Sequence, residues 1–167
     1  MRTLVLAGTQ FIGLHLVHEL LRRGHQVSVL NRGQTQMELP PGVERLYADR
    51  TDPKAVKRVL GRREFDAAFD VSTYTTEALI PAVEALEGRV GRYVSCSNAA
   101  VYAPFEIYPV LETQPLVRDS SQSQYALDKV ACEEYLRERW HARTQLAAGG
   151  EEPVDLDLDL FHRRYSS

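Results

Sequence analysis

Short apolar runs alternate along this chain with stretches in which apolar residues recur every three or four positions. Residues 2–7 form a leucine- and valine-rich run of strand length, too brief for a helix. Over 11–23, Ile12, Leu16, Val17, Leu20 and Leu21 fall at helical spacing, and Gly24 ends the pattern. Further strands are predicted at 25–30, 43–48, 65–71 and 91–97, and helices at 53–60, 77–86 and 123–139. Asp52 is the expected N-cap of the second helix, with Pro53 in its first turn. A loop carrying Pro104, Pro109 and Pro115 separates the last strand from the last helix. Strand–helix alternation of this kind predicts an α/β fold: a doubly wound parallel sheet with helices on both faces.

Composition narrows the picture. Twenty Lys and Arg face 23 Asp and Glu, a net charge of −3, which argues against a nucleic-acid or anionic-membrane partner. No apolar run approaches the roughly 20 residues that span a bilayer, and the N-terminus lacks the features of a signal peptide. Cys96 and Cys132 are far apart and without metal-ligand spacing, so a reducing, cytoplasmic location is expected. The pattern changes near His141. One domain is expected over 1–146, followed at 147–167 by a linker and an acidic tail. Asp155, Asp157 and Asp159 in that tail lack the turn glycine and terminal glutamate of a calcium loop, and His15, His18 and His25 read as solvated, so no metal is expected.

The first strand runs through Ala7-Gly8-Thr9-Gln10-Phe11-Ile12-Gly13 into a helix. A dinucleotide-binding, Rossmann-like fold holds its pyrophosphate at such a turn, against backbone N–H groups at a helix start. Glycines there admit the phosphates and let helix and strand pack closely. Gly8, Thr9, Gln10, Phe11, Ile12 and Gly13 are therefore candidate cofactor-binding residues. At the end of the second strand an acid would suit the ribose of NAD. The chain offers Asn31 and Arg32 instead, and an arginine there can pair with the 2′-phosphate of NADP. NAD and NADP both stay open, with Arg32 tilting the choice toward NADP unless it is only a solvated loop residue. Asp49 and Arg50 follow the third strand. Ser72, Thr73 and Tyr74 follow the fourth, at the carboxyl edge where such sheets bind ligands.

The turn, together with Gly24-His25-Gln26-Val27-Ser28-Val29-Leu30-Asn31-Arg32-Gly33, resembles the NAD-dependent epimerase/dehydratase family of extended short-chain dehydrogenase/reductases. It is most similar to an atypical branch whose turn reads Gly-Gly-Thr-Arg/Gln-Phe-Ile-Gly. On the usual Gly-x-x-Gly-x-x-Gly turn, Ala7 and Gln10 replace the first two glycines and Gly13 keeps the third. If residue 7 needs positive φ, its alanine strains the turn by roughly 1–2 kcal/mol. The resemblance assigns Asp49 to the adenine; the same side chain is equally suited to capping the turn that follows it.

Tyr125-Ala126-Leu127-Asp128-Lys129 matches the family's Tyr-x-x-x-Lys. Residues i and i+4 share a helix face, so phenol and ammonium can reach one place. A free tyrosine is a poor base at neutral pH. A lysine cation beside it favours the phenolate, which can then take a proton from a substrate hydroxyl. By the resemblance, Lys129 also holds the nicotinamide ribose. The family's third partner, a serine or threonine before a Val-Tyr pair, falls here on Asn98, with Ser97 one residue earlier. Both are candidates. The resemblance covers about residues 1–138 and implies NAD(P)-dependent oxidoreductase or epimerase chemistry on a sugar nucleotide or similar hydroxyl substrate. Family members continue into a sixth core strand and a substrate lobe, so the chain is expected to be a truncated or frame-altered member or a fragment, with little turnover alone. The rival expectation is a non-catalytic nucleotide-binding or interaction domain. RNA binding is a third, since the atypical branch includes chloroplast stem-loop-binding proteins. A homodimer is compatible with all three.

Overall fold

The structure, a computed structural model, describes residues 1–35, 37–102, 108–111, 114–116, 118 and 122–147. Its elements run β1 (Arg2–Leu6), α1 (Phe11–Arg22), β2 (Gln26–Asn31), β3 (Glu44–Tyr47), α2 (Pro53–Leu60), β4 (Phe65–Asp70), α3 (Thr76–Leu86), β5 (Val90–Ser95), a 3-10 helix (Ala99–Tyr102) and α4 (Gln124–Ala147). The five strands form one parallel sheet in the order β3-β2-β1-β4-β5. The fold is therefore the expected doubly wound, Rossmann-like α/β arrangement. The chain winds outward from β1 through β2 to β3 in one direction and from β4 to β5 in the other.

Two compact units divide the chain. The first comprises Met1–Thr73 and Ile80–Cys96 and contains the whole sheet. Its core forms where β1 is covered from both faces: Leu4, Val5 and Leu6 are at most 1% exposed, and Val17 and Leu20 of α1 pack with Val27 and Val29 of β2. The helix starts follow local chemistry. Asp52 accepts from the N–H groups of Lys54 (2.9 Å) and Ala55 (3.1 Å) and so caps α2, with Pro53 in its first turn. Gly24, at φ 75°, ends α1 by donating to the Leu21 carbonyl at 2.8 Å.

The second unit comprises Tyr74–Leu79 and the described residues from Ser97 to 147. In it α4 turns Ala126, Lys129, Val130 and Leu136 inward, a helical face that packs on the 3-10 helix, whose Val101 is also buried. The helix continues eight residues beyond the predicted end at 139, to Ala147. Residues 140–147 contain neither glycine nor proline and are mostly good helix formers, so nothing local stops the helix before Gly149. The expected acidic tail, with Asp155, Asp157 and Asp159, lies outside the described residues. Among the described residues no helix is long and apolar enough to cross a membrane.

Candidate functional site

The carboxyl end of β1 lies at the switch point of the sheet, beside the end of β4, with Leu6 opposite Asp70. Here the chain makes a turn that leaves no room for a side chain at positions 8 and 13. A Cβ on Gly13 would lie 2.5 Å from the Ala7 carbonyl oxygen and 3.1 Å from Val71 Cγ2. A Cβ on Gly8 would lie 2.9–3.1 Å from methyl groups of Val17, Val29 and Val5. Gly8 is thus required for packing against the core, whereas Gly13 lets α1 approach the end of the strand. Ala7 takes φ 66° and Phe11 φ 43°. The positive φ on which the strain at residue 7 depends is therefore present. The Ala7 amide is tied to the Leu30 carbonyl at 2.9 Å.

This turn delivers a helix start with free capacity for an anion. Gln10 is the extended N-cap residue of α1; its side chain makes no capping hydrogen bond, and the first helical turn has no acid. The orphan N–H groups of that turn carry the positive end of the helix dipole. Thr9 is buried just before it, while Phe11 (83% exposed) and Ile12 (52% exposed) present large apolar surfaces. These features fit a pyrophosphate: a cradle that a Cβ would fill, unclaimed backbone donors and no opposing carboxylate.

At the end of β2 the Asn31 side-chain oxygen accepts from the Gly33 N–H at 2.8 Å and closes that turn, leaving Arg32 exposed. Asp49 accepts from both the amide (2.9 Å) and the hydroxyl (2.8 Å) of Thr51, so it does close the turn that follows it. Those two bonds, the amide first, hold its carboxyl below the ordinary aspartate range, and the Arg32 charge adds a smaller push the same way.

Arg50 and Ser72 enter a cluster that the sequence did not announce. Asp70, fully buried at the end of β4, receives a two-pronged ion pair from Arg50, at 3.1 and 2.5 Å. It also accepts from the Tyr93 hydroxyl at 2.7 Å, from the Thr73 hydroxyl and from the Ser72 amide at 3.4 Å. Arg50 reaches the Ser72 hydroxyl at 3.3 Å and the Thr73 hydroxyl as well. An acid ending a mostly apolar strand, with Ser72 and Thr73 just after it, is the local signal of this cluster; its other partners, Arg50 and Tyr93, are 20 and 23 residues away in the chain.

The second unit carries the other candidates. Tyr125 lies in the first turn of α4 and is 39% exposed; Lys129, on the same face, is buried. The Lys129 Nζ lies 5.5 Å from the centroid of the Tyr74 ring, and the rings of Tyr74 and Tyr125 are 6.1 Å apart. Asn98 caps the 3-10 helix, its side-chain oxygen accepting from the Ala100 N–H at 2.8 Å. The Ser97 hydroxyl donates to the Glu133 carboxylate. Among the described residues, no group of three or more His, Cys, Asp and Glu is placed to hold a metal ion.

Residues 3–149 match the model of the NAD dependent epimerase/dehydratase family. The chain is 31% identical over 150 residues to the 2′-dehydrokanamycin reductase of Streptomyces kanamyceticus, covering 88% of this chain and 41% of that protein. It is 33% identical over 124 residues to the chloroplast stem-loop binding protein of 41 kDa b of Arabidopsis thaliana, covering 66% of this chain and 32% of that one. The chain thus spans about a third to two fifths of the length of these relatives. A UDP-glucose 4-epimerase of Thermus thermophilus, solved in complex with NAD, superposes with a TM-score of 0.73 at 26% identity, covering 85% of this chain and 51% of that one. With a family match that spans most of its length, the chain belongs to the NAD dependent epimerase/dehydratase family.

Proposed function

We propose that the chain holds a nicotinamide dinucleotide at the 7–13 turn and performs oxidoreductase or epimerase chemistry on a hydroxyl-bearing substrate such as a sugar nucleotide. The observation that carries this reading is the approach of Gly13 to the Ala7 carbonyl, at an uncapped helix start on the switch point of the sheet. The relative named a 2′-dehydrokanamycin reductase and the solved UDP-glucose 4-epimerase support the substrate class. When bound, the cofactor supplies a hydride acceptor or donor. Tyr125 takes the proton from the substrate hydroxyl as its carbon loses hydride and becomes a carbonyl, and returns a proton in the reverse direction. Lys129 places a cation one helical turn from that phenol. Asn98 is the better donor to the substrate oxygen: its cap holds the amide oxygen and leaves the NH₂ group to donate, while the Ser97 hydroxyl is engaged by Glu133. Arg32 inclines the cofactor choice to NADP.

The test is a turnover assay at the nicotinamide absorbance against a panel of UDP-sugars, dTDP-sugars and oxidised aminoglycosides, with both cofactors. Slow turnover is expected of this chain, falling at least about 10²-fold further in Tyr125→Phe. Undiminished activity in that variant removes Tyr125 from the chemistry. The stem-loop binding relative favours a second reading, in which the same turn serves a non-catalytic, RNA-associated protein. Saturable binding of a structured RNA without turnover of any sugar would select it.

A further inference from the structure

We propose that Tyr74 is a positioning residue for the Tyr125–Lys129 pair, its ring face holding the Lys129 ammonium and its ring bracing that of Tyr125. The proposal rests on the proton-transfer role given to that pair above. The Lys129 Nζ lies over the Tyr74 ring at 5.5 Å, inside the range of a cation–π contact. The Tyr74 and Tyr125 rings meet at 6.1 Å with their planes tilted by 48°, a favourable aromatic arrangement. One ring therefore touches both members of the pair.

Core packing does not account for that placement, because Tyr74 is 56% exposed. Helix geometry does not account for it either. Spacing i, i+4 puts Tyr125 and Lys129 on one face of α4 but leaves their several side-chain torsions open. A shared aromatic neighbour removes much of that freedom before substrate arrives, which is what orientation-dependent proton transfer requires. The backbone beside Tyr74 is itself fixed. The Thr75 hydroxyl accepts from the Ala78 N–H at 3.3 Å and its carbonyl from the Leu79 N–H at 3.1 Å, so Tyr74 sits against the capped start of α3.

A positioning role needs the ring and not the hydroxyl, which makes Tyr74→Phe and Tyr74→Leu the informative variants. Proton NMR of the whole chain, with Lys129 assigned through Lys129→Arg, reads the placement directly. The Lys129 ε-methylene signal should be ring-current shifted upfield in the wild type and Tyr74→Phe, and return to the ordinary lysine position in Tyr74→Leu. In turnover, Tyr74→Leu should lose about 10- to 100-fold in kcat at unchanged cofactor KM, with Tyr74→Phe within about twofold of wild type. An unshifted Lys129 signal in the wild type overturns the proposal. So does a Tyr74→Phe variant as impaired as Tyr74→Leu, which would put the hydroxyl itself in the chemistry. If the upfield signal is present and no sugar is turned over, the oxidoreductase reading fails while the placement of Tyr74 stands.

Discussion

The carboxyl ends of β1 and β4 are neighbours in one sheet, and they are built in opposite ways. β1 ends in a turn made almost wholly of backbone. Ala7 and Phe11 sit at positive φ, two glycines admit close approach, and no side chain caps the helix that follows. β4 ends in a carboxylate surrounded by side-chain donors, with Arg50, Tyr93 and Thr73 all converging on Asp70. The first end leaves the backbone N–H groups of a helix start without a side-chain cap and carries backbone strain. The second commits its donors internally and gains rigidity.

The largest expected effect is at the closed end. Asp70→Asn leaves Arg50 without its buried carboxylate, and breaking a buried pair from one side typically costs about 3–5 kcal/mol. Urea denaturation should show the midpoint falling at unchanged slope. A loss below about 1 kcal/mol would mean that the cluster behaves as a solvated surface pair and that the two strand ends do not differ as described.

At the open end the expected effects depend on ligand charge. Arg32→Ala should weaken NADP binding by about 1.5–3 kcal/mol, the range for a hydrogen bond to a charged group, while NAD binding changes little. Calorimetric titration with both cofactors checks it. Equal losses would show that Arg32 makes no contact with a 2′-phosphate and serves only to accompany the Asp49 charge.

The smallest effect isolates the strain. Ala7 at φ 66° costs roughly 1–2 kcal/mol relative to glycine. Glycine's greater freedom in the unfolded chain takes back about 0.4–1 kcal/mol of that. Ala7→Gly should therefore raise stability by no more than about 1.6 kcal/mol in the same urea experiment. Destabilisation would mean that residue 7 is not held in the left-handed region.

The difference between the two ends also separates what the sequence discloses from what it hides. The strands and the turn were legible because they depend on local chemistry: apolar runs of strand length, Gly13 at the start of a periodic helix, Asp52 ahead of Pro53. The strain at Ala7 could be posed as a condition from the missing glycine, and φ 66° meets it. The two roles open to Asp49 were both visible; the bonds from Thr51 show the turn-closing one in place. The Asp70 cluster was hidden because it joins residues from separate chain segments, and no spacing rule brings Arg50 or Tyr93 to it. The contact of Tyr74 with Tyr125 and Lys129 was hidden for the same reason, since the partners lie far apart in the chain. The extra length of α4 lies across the change of composition near His141, which contains no local helix stop.

The central claim is that the open end of β1 holds a dinucleotide, and fluorescence titration of the purified chain with NADH and NADPH tests it most directly. The wild type should bind at least one of them saturably, at or below millimolar concentration, the ordinary range for such sites. Gly13→Val, whose Cβ would press on the Ala7 carbonyl at 2.5 Å, should abolish that binding while circular dichroism shows the fold retained. No saturable signal with either cofactor, or unchanged binding in a folded Gly13→Val, would contradict the account.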